Sequence, residues 1–565
     1  MTYTPPVADQ RFVLKHVVGL DELAGHDLFA EATPDLVDAI LEGVGEFAAG
    51  EFAPLNRSGD QIGAKWSAVG VTMPPGFREA YRSYVEGGWG TLAGPPDQGG
   101  QGLPLVLATV VMEDLGSANM AFSLVTMLSA GAVEALRHHG SDEMKARWLP
   151  RLVTGEWTGT MNLTEPQAGS DVGALKSRAE PVGDGSWRVS GQKIFITFGD
   201  HDLADNIVHL VLARTPGAPP GTKGISLFLV PKVLPDGSAN DLRCVSIEHK
   251  LGIHASPTCV MAFGDNGNCR GWLIGEEMAG MRAMFTMMNN ARLNVGLQGV
   301  SIGERATQAA VAYARQRVQG VRAGRPAAIA DHPDVRRMLL RMTALTQAAR
   351  ALCYYAAGQT DRGTLGDEAA QARADLLTPL VKAYGTDIGC EVASLGVQVH
   401  GGMGFIEETG VAQHYRDIRI APIYEGTNGI QAADLVGRKL GLEGGKTLRR
   451  LLADVRGEAE GPLGELTDRV EGAAERLAGM GIEDRLAGSY PFLTLLSTLV
   501  CGWLMKRQLE ALEAPGIAEN RQFMATKRAA CLYYLEHVVP EATGLAAQAT
   551  AGAALFYPEE ELFPG

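Results

Sequence analysis

Ile207-Val-His-Leu-Val-Leu-Ala213 and Ile225-Ser-Leu-Phe-Leu-Val230 are two short apolar runs separated by a Pro- and Gly-rich turn, Pro216 to Gly221. Runs of this length between breakers read as buried strands rather than helices. Trp187 to Val189, Ile194 to Thr197 and Cys259 to Phe263 have the same character, and Asp184-Gly185 is a hairpin signal just ahead of them. The stretch from about 180 to 275 is therefore expected to form a β-domain, either an antiparallel barrel or a sandwich.

On both sides the period changes. From Asp35 to Ser170, Leu36, Ile40 and Val44 recur at helical spacing, as do Leu105, Val110, Val111 and Leu115. Gly94-Pro-Pro-Asp-Gln-Gly-Gly100 is a loop, and Ser141-Asp142-Glu143 reads as a helix cap. From Met278 onward, Leu293, Leu297, Val300, Ala306 and Tyr313 stay on one face, which predicts a helical bundle. Glu443-Gly444-Gly445 then separates a final acidic, Ala/Leu-rich helical region reaching Leu555. The expected organisation is an N-terminal extension (1–34), a helical domain (35–160), a middle β-domain (161–275), a helical bundle (276–442) and an additional helical domain (443–565).

The chain has 565 residues, 46% of them hydrophobic, with a net charge of −15 and no long basic block. That composition is globular and makes nucleic acid an unlikely partner class. Seven scattered cysteines lack a CxxC pair or zinc spacing, so no metal site is expected and a reduced, cytoplasmic setting fits. The first residues contain no apolar segment resembling a leader. Leu486 to Met505 carries no charge, but Pro491, Gly488 and Gly502 interrupt it, so it reads as a buried helix and no transmembrane segment is expected. His138-His139 would point to different helix faces and reads as structural or solvated. Gly441 to Thr447 mimics a phosphate-binding loop, but its glycine spacing is one residue short and it follows a helical rather than a strand pattern.

Two segments combine several unusual choices. The first is Met161-Asn-Leu-Thr164-Glu-Pro-Gln-Ala-Gly169-Ser170-Asp-Val172, followed by Gly191-Gln-Lys-Ile-Phe195-Ile-Thr197. The second is Gln398-Val-His-Gly401-Gly402-Met-Gly-Phe405, continuing to Tyr415-Arg-Asp417 and Ile423-Tyr424-Glu425-Gly426-Thr427-Asn428-Gly429-Ile-Gln431. With their spacing, these motifs resemble the acyl-CoA dehydrogenase family over roughly Leu92 to Gly437. Asp9 to Leu14, Lys250 to Thr258 and the long C-terminal region are most similar to the 3-methylmercaptopropionyl-CoA dehydrogenase branch.

The resemblance implies an N-terminal helical domain, a central β-barrel and a C-terminal four-helix bundle, here with an extra C-terminal helical domain. It implies FAD as cofactor, acyl-CoA as substrate, an electron-transfer flavoprotein as acceptor, and a homodimer or homotetramer. Glu425 is implied as the catalytic base. Met161, Leu163, Thr164, Gly169, Ser170, Phe195, Thr197, Arg317, Gln398, Gly401, Gly402, Thr427 and Asn428 are implied as cofactor contacts. Ser170, Arg292, Tyr424 and Gly426 are implied on the substrate side. Some relatives carry the base just before the arginine matched by Arg292, but Ala291 stands there and cannot take a proton. The activity implied is α,β-dehydrogenation of an acyl-CoA thioester, with 3-methylthiopropanoyl-CoA as one candidate. The alternatives are a straight-chain short-, medium- or long-chain dehydrogenase, an acyl-CoA oxidase, and a non-catalytic flavin-binding assembly protein.

Overall fold

Helix starts follow the capping chemistry. Ser141 accepts from Met144 N at 3.2 Å to open the helix Asp142–Thr154. Helices α1 (Leu105–Ala118) and α2 (Met120–His139) meet at Asn119, whose extended backbone breaks the helical run and whose side chain caps α2 through Phe122 N at 3.1 Å. The computed structural model describes residues 3–514, 520–558 and 562. Of the described helices, α2 alone is long and apolar enough to cross a membrane, and 83% of its apolar window is buried within the protein.

The apolar runs lie in one eight-stranded sheet, made of β1 (Thr158–Asn162), β2 (Arg178–Pro181), β3 (Trp187–Thr197), β4 (Ile207–Arg214), β5 (Ile225–Pro231), β6 (Leu242–Ile247), β7 (Thr258–Phe263) and β8 (Arg270–Ile274). Their order is β8-β5-β4-β2-β3-β7-β6, with β1 on β4 and a further pairing of β8 with β3. Three expectations are corrected. Trp187 to Val189 and Ile194 to Thr197 are the two ends of one strand, because the polar Gly191-Gln192 stretch stays extended. The sheet is mixed, since β1 and β2 pair parallel with β4. Strands β1, β2, β6 and β8 were not expected, because they lack an uninterrupted apolar run; the burial of β1 comes from packing against α2.

The bundle is built on α3 (Gly280–Gln316), α4 (Pro333–Thr364) and α5 (Glu368–His400). Along α3 and α5 the backbones touch. A Cβ placed on Gly299 would lie 1.9 Å from the Gly385 carbonyl oxygen, so no other residue fits without separating the helices. Past α3 an exposed β-hairpin, Val318–Arg322 with Arg325–Ala328, interrupts the helical pattern.

Beyond α6 (Asn428–Gly437) and a kinked segment at Lys439–Gly445, the C-terminal region is helical. Gly441 to Thr447 falls in this kink and the start of the next helix, with Thr447 bonded to Glu443, and it forms no phosphate loop. The uncharged Leu486 to Met505 stretch lies mostly in α7 (Ser489–Glu513), whose Phe492, Leu496, Leu499 and Val500 are fully buried. The N-terminal extension is fastened by Asp9, which receives Lys527 Nζ at 2.6 Å and pairs with Arg350. Arg350 also holds Glu113 and Glu304, both at 2.8 Å. One buried guanidinium thereby connects the extension, α1, α3 and α4, and Asp9 adds the C-terminal region.

Candidate active site

The turn at 419–427 joins the helix Val411–Ile418 to α6. Tyr424 N donates to Ile420 O at 3.1 Å and Asn428 N to Pro422 O at 2.9 Å, which fold the chain back on itself. At its apex Glu425 has φ +56° and Gly426 φ +84°. A left-handed glutamate is uncommon and costs on the order of 1 kcal/mol, so the surrounding contacts must enforce it.

Those contacts come from α3 and α5. Arg292, buried on α3, directs Nε toward the Glu425 carbonyl at 3.5 Å. Tyr424 donates its hydroxyl to Gln298, one and a half turns further along α3. On α5, Lys382 is completely buried and donates to Asn428 Oδ1 at 2.9 Å. Burial pushes the Glu425 carboxyl up to about 7, against the pull of Arg292 and Lys382. Burial likewise pushes Lys382 down to about 7, opposed by Glu425 and Asp387. A carboxylate that titrates near neutrality in an apolar turn is matched to proton abstraction. Its N–H has no acceptor within the protein among the described residues. The Gln431 amide is buried with neither polar atom hydrogen-bonded, and its Nε2 lies 2.9 Å from where a Cβ on Gly426 would sit.

The first motif builds a separate wall. Lys193 on β3 is buried and donates to Leu163 O at 3.0 Å and Glu165 Oε1 at 2.8 Å. Burial alone would raise Glu165, but Lys193, Ser177 and the Lys176 N–H hold it at about 2. This pair clamps the 163–165 loop to β3, and Ile194 N closes on Thr164 O at 2.9 Å. Between Lys193 and Ile196 the register with β7 slips by one residue, and the extra residue, Phe195, takes φ +60° and is 58% exposed. A bulge of this kind re-aims a side chain. It turns an aromatic face outward beside Thr197 and Leu163, both half-buried, and near buried Met161.

Matches to family models cover most of the chain: the acyl-CoA dehydrogenase N-terminal domain at 35–156, middle domain at 160–266 and C-terminal domain at 278–440, and an acetyl-CoA dehydrogenase C-terminal-like domain at 446–557. A 3-methylmercaptopropionyl-CoA dehydrogenase of Ruegeria pomeroyi is 46% identical over 96% of this chain and 97% of its own length. The chain belongs to the acyl-CoA dehydrogenase family. A broad-specificity linear acyl-CoA dehydrogenase of Mycobacterium tuberculosis is 34% identical over 95% of this chain and 96% of its own. An acyl-CoA dehydrogenase of Bacillus anthracis, solved with FAD, shares the fold at TM-score 0.74 and 23% identity, covering 92% of this chain and 89% of that one. The protein is an FAD-dependent acyl-CoA dehydrogenase, an oxidoreductase acting on acyl-CoA.

For such a dehydrogenase the residues fit the cofactor. Phe195 is exposed, Thr164 and Thr197 are half-buried on the clamped loop and on β3, and a Cβ on Gly169 would meet nothing within 4 Å, as is also true of Gly401 and Gly402 at the far end of α5. Ser170 is exposed beside Gly169. Thr427 caps α6 by accepting from Ile430 N at 3.2 Å, which leaves its hydroxyl proton free to donate. The Asn428 amide nitrogen donates to Ala383 O, Thr386 Oγ1 and Asp387 Oδ1, and its oxygen accepts from Lys382, so its side chain is turned into the bundle.

The chain does not bring all predicted residues together. Gln398, exposed, and the Gly401–Gly402 pair lie at the far end of α5, about 24 Å along the helix from Lys382. Arg317, exposed, ends α3 about 37 Å from Arg292. Sequence reasoning missed Lys382, Lys193 and Gln298. A lysine inside Leu380-Val-Lys-Ala-Tyr384, or next to Ile194 in a strand, is the signal that could have found the first two. His138 and His139 diverge as expected, to Glu134 and to Thr286 respectively, and no metal-binding cluster exists among the described residues.

Proposed function

We propose that Glu425 removes the α-proton of a thioester lodged against the 423–427 turn, and that the substrate is 3-methylthiopropanoyl-CoA or a short acyl-CoA of similar length. The observation carrying this reading is the strained, half-buried Glu425 held between Arg292 and Lys382 with Ala291 where a competing base would stand. The name of the Ruegeria pomeroyi relative supports the substrate.

An α-proton next to a thioester is a weak acid, so two features must cooperate. The carboxylate takes the proton, and the free Glu425 N–H donates to the carbonyl oxygen where charge develops. Bound FAD supplies the acceptor for the β-hydride, and a trans-2-enoyl-CoA results. Arg292 fixes the turn through the Glu425 carbonyl, Tyr424 does so through Gln298, and an acyl chain covering the turn excludes water and raises the carboxylate further. Met161, Leu163, Thr164, Phe195 and Thr197 hold the isoalloxazine side of the cofactor, with Gly169, Ser170 and Thr427 toward its pyrophosphate. Gln398, Gly401, Gly402 and Arg317 face the cofactor of a second subunit, since they are too distant to serve their own, which makes the working unit a homodimer or homotetramer. An electron-transfer flavoprotein is the oxidant, and the setting is cytoplasmic. The eight-stranded sheet is a barrel closed through the β8–β3 pairing, and the domain limits are 35–160, 161–275, 276–442 and 443–565.

An anaerobic titration with a panel of acyl-CoA thioesters tests this. Loss of flavin absorbance with 3-methylthiopropanoyl-CoA, absent in Glu425→Gln, is expected. Full turnover by Glu425→Gln would remove the base assignment, bleaching only by longer straight chains would move the substrate to the linear class of the Mycobacterium tuberculosis relative, and rapid stoichiometric peroxide would indicate an oxidase.

A further inference from the structure

The C-terminal helical region has a direct line to the base. Tyr490, near the start of α7, donates its hydroxyl to Asp387 Oδ2 at 2.7 Å. Asp387 Oδ1 accepts from Asn428 Nδ2 at 2.9 Å, and Asn428 Oδ1 accepts from Lys382 Nζ at 2.9 Å. Asn428 is the first residue of α6, three positions past Glu425. Four linked polar side chains from α7, α5 and α6 therefore run from the protein's flank to the back of the catalytic turn, and the first of them, Tyr490, joins the chain because α7 packs across α5 and α6.

We propose that Tyr490, Asp387, Asn428 and Lys382 form a positioning relay through which the C-terminal region keeps a cation behind Glu425. This rests on Glu425 being the base.

Chemistry gives the relay a direction. Lys382 is fully buried; burial pushes its ammonium down and Arg292 adds to that, while Glu425 and Asp387 favour the charged form. Asp387 is half-buried; burial raises its carboxyl, while Tyr490, Asn428, Lys382 and Arg419 favour its ionised form. The charged groups facing Glu425 itself are Arg292 and Lys382. Arg292 is in turn balanced by Asp434 against Arg438. Cys390 is the remaining titratable neighbour of Tyr490. Deleting the Tyr490 hydroxyl makes Asp387 easier to protonate, a neutral Asp387 no longer supports the Lys382 ammonium, and a neutral Lys382 no longer helps keep Glu425 ionised. Every break in the relay thus moves the base in the same direction, toward higher pH.

The test compares the pH dependence of anaerobic flavin reduction in wild type, Tyr490→Phe, Lys382→Met and, as a control on an exposed tyrosine, Tyr557→Phe. Proton uptake on binding 2-enoyl-CoA, measured by calorimetry in buffers of different ionisation enthalpy, gives a second readout independent of turnover. Lys382→Met is expected to move the acid limb up by about 1 unit, tenfold less reduction at low pH with the high-pH plateau kept, the size an opposite charge exerts on a nearby carboxylate. Tyr490→Phe should move both readouts the same way by less, and Tyr557→Phe should move neither. A Tyr490→Phe profile that superimposes on wild type, or shifts down, overturns the relay, and because that change removes one oxygen from a partly exposed side chain it decides the matter even if Lys382→Met does not fold. Retained turnover in Glu425→Gln would instead remove the base assignment, so the two failures are distinct.

Discussion

Replacing Gly299 by alanine probes whether the close contact of α3 and α5 sets the site. The new Cβ would stand 1.9 Å from Gly385 O, and real Cβ atoms essentially never come within 3.0 Å of a neighbour, so the helices must part by at least 1.1 Å, the difference between those distances. The backbones are close one turn earlier as well, where a Cβ built on Gly296 would stand 2.4 Å from Val381 O. Overpacking of this sort costs about 1 to 3 kcal/mol, and alanine's better helix propensity returns about 1 kcal/mol. A net loss of up to about 2 kcal/mol remains. The catalytic penalty is larger, because Arg292 and Gln298 ride on α3 while Lys382 rides on α5, and a misplacement of 1 Å costs about 100-fold in rate. The matched control is Gly472→Ala in the helix Gly461–Gly479, where the added Cβ meets nothing within 4 Å. It should stabilise by about 0.5 to 1 kcal/mol and leave flavin reduction untouched. Thermal melting and anaerobic stopped-flow reduction read both variants. If Gly299→Ala melts at or above wild type and reduces flavin at the normal rate, the backbone contact does not position the turn.

Other outcomes follow from the same charges. Because a base must be ionised to act and Glu425 sits at about 7, substrate-dependent flavin reduction should rise tenfold per pH unit below 7 and level off above it; a profile flat from pH 5 to 8 contradicts the assignment. Glu425→Gln should lower that rate by about 100-fold to 10,000-fold with flavin still bound. Lys193→Met leaves the Glu165 carboxylate buried without its cation and should cost about 3 to 5 kcal/mol, releasing the 163–165 loop; purification with full flavin content and an unchanged melting temperature would count against the clamp. Arg350→Met strands Glu113 and Glu304 and leaves Asp9 with Lys527 as its ion partner, and should cost about 3 to 5 kcal/mol, read as early protease cleavage between the bundle and the C-terminal region.

Local chemistry explains what the sequence disclosed. The β4 and β5 runs, the Ser141 cap and the one-face periodicity of α3 are decided by neighbours a few residues away, so they could be read directly. Glu425 was picked out for a different reason, because Tyr424-Glu-Gly-Thr-Asn428 resembles a family motif. Strands β6 and β8 were not legible, since their residues are only partly buried and gain order from pairing with β7 and β5. The rotamer of Asn428 was not legible, because motif position says nothing about it; Lys382, 46 residues away in the chain, turns the amide inward. Gln298 and Lys382 show the same limit, since their partners lie 126 and 46 residues off and no window of sequence contains both.

The buried ions share a placement that argues for a role beyond stability. Lys193–Glu165 joins a loop to a strand, Arg350 joins α4 to the extension, α1 and α3, and Asp9 carries the connection on to Lys527 in the C-terminal region. A buried pair often contributes no more stability than well-packed apolar residues of the same volume, whereas removing one partner is costly. Such pairs are therefore poor general adhesives but strict about which surface meets which. In this dehydrogenase each stands where one region of chain must register on another, and the registered surfaces include β3, which carries Phe195, and α3, which carries Arg292. If that is their function, replacing Arg350, Asp9, Glu113, Glu304 and Lys527 together by apolar residues of similar size should restore much of the melting temperature lost in Arg350→Met while flavin reduction stays slow; recovery of both together would mean the charges serve packing alone.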